Sequence, residues 1–503
     1  MPSILLSTLN ARFIHSAFGL RYIKANMGEL MAETEIIEFT INERPIDLVE
    51  KLLASKPRIV GLGVYIWNIV EITQLAALLK TVSPETLLVL GGPEVSFEHA
   101  AQPIVALADY VICGQGDLEF ADLCRALLKG ERPAQKIIHA TPPPLAQLKL
   151  PYQLYTDEDI AHRIIYVEAS RGCPFKCEFC LSALDKTAKA YDLELFLAEM
   201  DTLYQRGARH FKFVDRTFNL KIDLSIRILD FFLERLDDKL FLHFELIPDH
   251  LPEKLKAAMQ RFPEGSLQFE IGVQTFNEAT QTLISRKQDN DKTCENLRWI
   301  GEQTHAHIHA DLIIGLPGED LASFAAGFNK LALLGPHEIQ VGILKRLRGS
   351  PIIRHSQAFD MRYNPNPPYN ILSNNLLDFA TLQRLTRFAR YWEMIANSGR
   401  FHQSLPRLLG EKPFERFMTL SDWLFSTTDQ THQIALKRLF QLLHQGAVEA
   451  LGIDSKSFKR AVEIDYISSG LKGLPDLERN HSISGGATSA SARQQRHRAV
   501  ASQ

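Results

Sequence analysis

Short apolar runs alternating with amphipathic stretches, twice over, constrain this chain more than any other feature. In the first 130 residues the runs are "SILLSTL" (3–9), "TEIIEFTI" (34–41), "IVGLGVYI" (59–66), "TLLVLGG" (86–92) and "YVICG" (110–114). Helical patterns such as "IDLVEKLLAS" (46–55) and "VEITQLAALLKTV" (70–82) fall between them. Strands apolar on both faces need cover on both faces, and intervening helices supply the crossovers that parallel strands require. A Rossmann-like α/β domain is expected over residues 1–135. Such sheets bind ligands outside the carboxyl ends of their strands, which here read "TLNARFIH", "GVYIWN", "LGGPE" and "CGQGD".

Prolines in "ATPPPLAQLKLPYQLY" (140–155) stiffen the following segment and argue against regular structure, so residues 136–160 read as a linker. The second alternation starts at "RIIYVEAS" (163–170). It continues through "HFKFVD" (210–215), "LFLHFEL" (240–246), "LQFEIGV" (267–273), "HIHADLIIGL" (307–316) and "EIQVGILK" (338–345). Six strands with helices between fall short of a closed eight-stranded barrel, and a partial (β/α)6 TIM-type barrel is expected over 161–355. From about Pro368 the pattern turns helical, giving a C-terminal helical domain over 356–475 in which "RFARYWEM" (387–394) reads as a packed amphipathic helix. The tail 476–503, rich in Ser, Gly, Ala and Gln, is expected to be disordered.

With 503 residues, 45% of them hydrophobic, the chain has material for two or three cores. Basic and acidic side chains number 56 and 59, so no global basic field indicates nucleic acid. The opening "MPSILLSTLN" reads as a strand rather than a signal peptide, and no apolar run is long enough to cross a bilayer. A soluble cytoplasmic protein is the expectation. Six cysteines in so long a chain argue against a disulfide scaffold. Cys113, Cys124 and Cys294 stand alone in apolar or helical patterns and read as core residues.

Cys173, Cys177 and Cys180 form one cluster in "RGCPFKCEFC" (171–180). Structural zinc takes four protein ligands, usually as two pairs, and no second pair follows within a hundred residues. Three thiolates on a four-iron cubane leave one iron open to an incoming molecule. The segment also follows the first barrel strand directly, at the end where such folds keep their active sites. With Phe179 before the last cysteine, the motif resembles the signature of the radical S-adenosylmethionine (SAM) superfamily. "EIGVQTFNEATQTLISR" (270–286) resembles the corresponding strand and helix of the oxygen-independent coproporphyrinogen oxidase branch. The resemblance implies polar contacts to SAM from Gln274 and Arg286, a carboxylate contact from Asp311 in "ADLIIGLPGE", and an adenine-side turn at Gly315. "FVDRTFN" (213–219) lacks the superfamily's Gly-Gly-Glu, and Asp215 is its expected substitute at the SAM amino group. A carboxylate near the ammonium and a guanidinium near the carboxylate fix the pose of SAM's methionyl end.

A parallel α/β unit ahead of such a core resembles the cobalamin-binding domain of cobalamin-dependent radical SAM proteins. "LLVLGGPE" carries Gly91 and Gly92, and "VICGQGDLEF" carries Gly114 and Gly116, where the class needs close backbone approach to the cofactor. Gly63 stands where many such domains have Ser. The loop "LNARFIHSAFG" brings Asn10 and His15, but Phe13 takes the place of the Asp that orients an axial histidine, and Gly19 is one residue too far. His15 is therefore expected to hydrogen-bond the corrin or cap the next helix. "GILKRLRGSPI" (342–352) and "NPPYNILSNN" (366–375) extend the resemblance to members with a C-terminal domain of unknown function.

The resemblance implies a [4Fe–4S] cluster, SAM and cobalamin. It also implies a one-electron reductant such as flavodoxin or ferredoxin, and cleavage of SAM to a 5′-deoxyadenosyl radical. Methylation of an unactivated carbon, with methylcobalamin as methyl donor, is the expected reaction. A cobalamin-dependent rearrangement or cyclisation and a non-catalytic cobalamin or redox sensor are the alternatives. A tRNA methylthiotransferase is disfavoured, because no cysteine precedes Cys113. Nothing in the sequence names the substrate, the catalytic residues or the oligomeric state.

Overall fold

The computed structural model describes residues 2–473, so the tail expected from 476 lies outside the described residues. The chain packs as two units. One comprises Met1–Phe244 with Lys345–Ile353 and Asn364–Asn370, and the other Glu245–Leu344, Arg354–Tyr363 and the chain from Ile371 on.

In the first unit, six parallel strands form a sheet. They are β1 (Ile4–Asn10), β2 (Thr34–Thr40), β3 (Ile59–Gly63), β4 (Leu87–Gly91), β5 (Tyr110–Cys113) and β6 (Ile137–His139), in the order β2-β1-β3-β4-β5-β6. Alternate residues of each strand go to opposite faces. Leu5, Leu9, Val60, Leu62, Leu88 and Leu90 enter one core with the helices α2 (Pro45–Leu53), α3 (Ile69–Val82) and α4 (Pro103–Leu107). Ile4, Leu6, Ile59, Val89 and Ile112 enter the other, with α1 (Phe18–Ala25) and α5 (Glu119–Leu128). Two cores on one sheet explain why the strand sequences are apolar throughout rather than alternating.

The sixth strand comes from the segment expected to be linker. Ile137–His139 precede the prolines at 142–144, so their backbone groups remain available to pair with Val111–Cys113. The same segment ends in the short helix α6 (Asp157–His162), where Thr156 and Asp159 form a reciprocal capping box. Three further parallel strands follow: β7 (Ile165–Val167), then, after the two-residue strands β8 (Ser170–Arg171) and β9 (Lys189–Ala190), β10 (His210–Phe213) and β11 (Phe241–Leu246), with β10 pairing both β7 and β11. Helices α7 (Leu193–Gln205) and α8 (Ile222–Leu233) connect them. The two late segments of this unit return to the loop after β4. Arg348 Nε donates to Glu94 at 2.9 Å, the Tyr369 hydroxyl to the same carboxylate at 2.6 Å, and Arg346 binds Glu98 through two nitrogens at 2.8 and 3.0 Å.

The second unit holds β12 (Leu267–Gln274), β13 (His307–Ile314) and β14 (Glu338–Ile343), again parallel, with β13 between the other two. All six strands expected for the second alternation are thus formed. On β13, Ile308, Ala310, Leu312 and Ile314 are buried on one face, while His309 and Asp311 share the other. The helix expected at 387–394 is part of a longer one (Phe379–Ile395), started by Asp378, whose carboxylate accepts from the Thr381 N–H at 2.8 Å. Its Phe388 and Trp392 pack with Phe328, Phe414 and Phe417 at ring separations of 4.8–6.0 Å. Asn397 closes the outer side of β14, accepting from the Ile339 N–H at 3.0 Å and donating to its carbonyl at 2.9 Å. Among the described residues no helix is long and apolar enough to cross a membrane.

Candidate functional site

A cavity of about 420 Å³ opens at the carboxyl-terminal halves of β3, β4 and β5 and reaches β1 at Leu6. It lies at the point where the strand order reverses, between β1 and β3, the usual place for a ligand in a doubly wound sheet. Gly63, Gly91, Gly92, Gly114 and Gly116 all line it, and so do Gly19 and Gly61. These glycines serve different ends. A Cβ on Gly91 would make only an ordinary contact with the Ile112 carbonyl oxygen, at 3.9 Å, so the fold does not demand glycine at this lining position. Gly92 has φ +108°, and a Cβ there would stand 2.5 Å from the Val64 carbonyl oxygen, so the fold itself demands glycine.

Asn10 and His15 are not among the lining residues. Asn10 is buried and donates to the His15 carbonyl at 2.9 Å and to Glu38 at 2.7 Å. His15 Nδ1 lies 2.7 Å from the Tyr166 hydroxyl, and burial, with Lys212 and Arg12 nearby, lowers its pKa. It does not cap α1, whose N-cap is Ala17 with no side-chain cap, so that expectation is corrected.

The other wall of the cavity is the cysteine segment. Ser170, Arg171 and Gly172 line it from one side of the cysteine loop, Ser182 and Asp185 from the other. Strands β8 and β9 pair antiparallel, and the Cys173 N–H donates to the Asp185 carbonyl at 3.0 Å, so the three cysteines sit in a closed hairpin. Gly172 has φ +95°, and a side chain there would collide with the Thr187 carbonyl, which fixes glycine before the first cysteine. None of the three is in a disulfide, and Cys173 and Cys177 are buried while Cys180 is half-buried. Burial and the neighbouring Cys180 and Cys177 raise the Cys173 pKa, while Arg216 opposes them. Phe179, half-buried, occupies the position before Cys180.

Asp215 follows β10 and is buried. It accepts from the Ala169 N–H at 3.0 Å and the Ser170 hydroxyl at 2.6 Å, and thereby holds the first leg of the hairpin. Burial pushes its pKa up to about 7. Arg171 was not singled out by its sequence context, although it opens the motif. Its guanidinium donates to Asp117 at 3.0 Å and to Glu168 at 2.7 and 3.2 Å, and lies 4.8 Å over the Tyr22 ring. Burial works against its charge, but Glu168 and Asp117 hold it protonated more firmly than a free guanidinium.

In the second unit, Gln274, Arg286 and Asp311 gather around Gly272. The Arg286 guanidinium donates to the Gly272 carbonyl and, at 2.8 Å, to Gln288. Asp311 pairs with Gly272 across the β12–β13 ladder, whose register shifts between Gly272 and Gln274. Gln274 takes φ +70°, a left-handed conformation unusual for a side-chain-bearing residue, and its amide folds over Gly272 where a Cβ would collide with it. A glycine inside the run "EIGVQ" is the sequence signal that marks this point. Asp311 also lies 3.2 Å from His309 Nε2, whose Nδ1 is 3.2 Å from Glu338. Burial pulls the His309 pKa down, but Asp311 and Glu338 outweigh it and raise the value to about 9. Gly315, at φ +89° just beyond β13, leaves no room for a Cβ, which would stand 2.6 Å from the Ile371 side chain.

Residues 5–124 match the B12 binding domain, residues 167–329 the radical SAM superfamily, and residues 357–501 a protein family of unknown function, DUF4080. Over 239 residues the chain is 28% identical to an uncharacterized methyltransferase of Pyrococcus horikoshii, covering 42% of this chain and 51% of that protein. Over 331 residues it is 22% identical to the 2-(S-pantetheinyl)-carbapenam-3-carboxylate methyltransferase of Streptantibioticus cattleyicolor, covering 58% of this chain and 48% of that one. The chain thus spans about half the length of these curated relatives. In fold it is similar to OxsB, a cobalamin-dependent S-adenosylmethionine radical enzyme solved with aqua-cobalamin and SAM, with TM-score 0.62 and 13% identity over 95% of this chain and 82% of that one.

The residues present fit the groups that such domains bring. Gly91 leaves open the space a side chain would fill, so a broad cofactor can approach the backbone at the end of β4. Three cysteines outside any disulfide, carried on one hairpin, suit the three-cysteine ligand set of a [4Fe–4S] cluster, in which each thiolate takes its own iron. Among the described residues no three His, Cys, Asp or Glu side chains gather about a single metal ion.

Proposed function

We infer that this radical SAM protein with a B12-binding domain, for which cobalamin, a [4Fe–4S] cluster and SAM are the implied cofactors, is a methyltransferase acting on an unactivated carbon. One observation carries the reading: the glycine-lined cavity at the ends of β3–β5 has both legs of the cysteine hairpin as its opposite wall. A methyl carrier in the cavity would therefore lie beside the cluster loop. The methyltransferase names of the two curated relatives support the same reading.

When bound, the cluster and SAM supply a 5′-deoxyadenosyl radical, and cobalamin supplies a carrier for the methyl group. On this reading Cys173, Cys177 and Cys180 hold the cluster, with Phe179 beside them. Gln274, Arg286 and Asp311 grip SAM, the guanidinium facing its carboxylate. Two hydrogen bonds leave the Asp215 carboxylate further acceptor positions, which keeps it available to the SAM amino group. Gly315 shapes the adenine side. Gly63, Gly91, Gly92, Gly114 and Gly116 give the corrin its backbone wall, and Asn10 and His15 support that wall through the loop after β1. As for any radical SAM enzyme, turnover requires an electron source and a substrate; flavodoxin or ferredoxin is the proposed donor, and the reducing cytoplasm the proposed compartment.

The test is anaerobic incubation of the reconstituted protein with methyl-labelled SAM and a cell extract as the source of acceptor. The expected result is 5′-deoxyadenosine together with labelled, methylated product. Deoxyadenosine without transferred label overturns the methylation and leaves a rearrangement or cyclisation. No SAM cleavage at all overturns the enzyme reading.

A further inference from the structure

The loop that follows β5 grips the cysteine hairpin by both of its legs. On the first leg, Arg171 donates to Asp117 at 3.0 Å and reaches Gln115 at 3.4 Å. On the second, Gln115 donates through its amide nitrogen to Asp185 at 3.2 Å, and the Asp185 carbonyl is the acceptor that closes the hairpin at Cys173. Arg171 and Asp117 are largely buried, and the Arg171 guanidinium is held from its other side by Glu168, which also accepts from the Tyr191 hydroxyl at 2.9 Å. Gln115, Asp117, Glu168, Arg171 and Asp185 all line the cavity. A ligand in that cavity therefore touches the loop, the tie and the hairpin at once.

We propose that Arg171 and Gln115 are positioning residues that couple the two cofactor sites: filling the cavity orders the 115–117 loop and, through these two side chains, the hairpin that holds the cluster. The inference rests on the cofactor reading above. Its physical basis is linkage. A ligand that binds the ordered hairpin better than the loose one shifts the hairpin toward order, and an assembled cluster must strengthen binding in the cavity by the same factor. Each of the two residues acts by tying one loop to another.

The experiment is titration of the full chain with hydroxocobalamin, followed by tryptophan fluorescence under anaerobic conditions, on cluster-free and cluster-loaded protein. Wild type is expected to bind about five-fold or more tightly when loaded, the lower end of typical coupling. In Arg171→Met and in the milder Gln115→Leu, the loaded and cluster-free forms are expected to bind alike. Iron release to a chelator gives the reciprocal reading: hydroxocobalamin slows it in wild type and not in the variants. A merely structural defect weakens both forms together and leaves the wild-type ratio standing, and that result overturns the proposal. So does a wild-type ratio of one. If Arg171→Met does not fold, Gln115→Leu decides alone. Wild type that binds no hydroxocobalamin in either form removes the cofactor reading itself, whereas binding without coupling removes only this inference.

Discussion

At the carboxyl ends of β3, β4 and β5 the chain places glycine, whereas around the ends of β12 and β13 it places Gln274, Arg286 and Asp311. Both regions are parallel strands connected by helices, built from the same kind of apolar run. They differ in what stands where a ligand would approach. At the strand ends of the first, glycines stand where side chains would otherwise project, and the polar groups of its cavity come from the loop after β5 and the cysteine hairpin. The second is shaped by side chains that carry charge, which suits a small zwitterion. Around it His309 lies 3.2 Å from both Asp311 and Glu338, which concentrates charge on that face of β13. Glycine marks the difference: Gly91 lines the cavity at the end of β4, and at Gly272 an arginine and a glutamine close over the strand.

The contrast can be broken by substitution, and the largest effect is expected at the cysteine hairpin. Replacing Cys173, Cys177 or Cys180 with Ala should abolish cluster assembly, read as loss of iron and of visible absorbance, with folding preserved by circular dichroism.

The charged region should then respond to pH where the glycine region does not. The His309 pKa is raised from 6.5 to about 9, so the folded state binds that proton more tightly than the unfolded chain does. Its stabilisation is fully present below pH 6.5 and is lost as pH rises through 9, a change of about 3 kcal/mol. Urea midpoints across this range should fall in wild type, and His309→Gln should flatten the slope. Glu270, Asp311 and Glu338 are the acidic neighbours within the second unit whose replacement should act in the same direction.

Adjacent glycines of the first region should separate stability from binding. Gly92→Ala, forced into φ +108° against the Val64 carbonyl, should cost about 2 kcal/mol or more in urea unfolding. Gly91→Leu should leave stability nearly unchanged and weaken hydroxocobalamin binding about ten-fold, or ~1.4 kcal/mol. Equal loss of stability in both variants would erase the distinction between a glycine kept for the fold and one kept for the cavity. The smallest effect is expected at Asp311→Asn, which keeps the shape and removes the charge. The KM for SAM should rise about five-fold, near 1 kcal/mol, with kcat changed less.

Much of the architecture was legible in the sequence because its causes are local. Apolar runs buried on both faces announced the strands of both regions, and the cysteine spacing announced the cluster, though not the hairpin that carries it. The linker was less legible. Its prolines were visible, but Ile137–His139 becomes a strand only because β5 offers it an open edge. His15 drew attention by its residue type, yet the structure turns it toward Tyr166 and away from the cavity lining. Arg171, Gln115 and Asp117 drew none, because an arginine beside a motif and two polar residues among glycines carry no signal until the loops meet.

By itself, then, the sequence determined which segments form strands and helices, since period and apolarity act over a few residues, and it determined the cysteine cluster, since three thiols within eight residues stay close in any fold. Only the tertiary structure decided which glycines leave space and which obey a backbone angle. It alone also decided that the loop after β5 would hold the cysteine hairpin by both legs, because residues 54 and 70 positions apart are brought into hydrogen-bond range by packing and not by spacing.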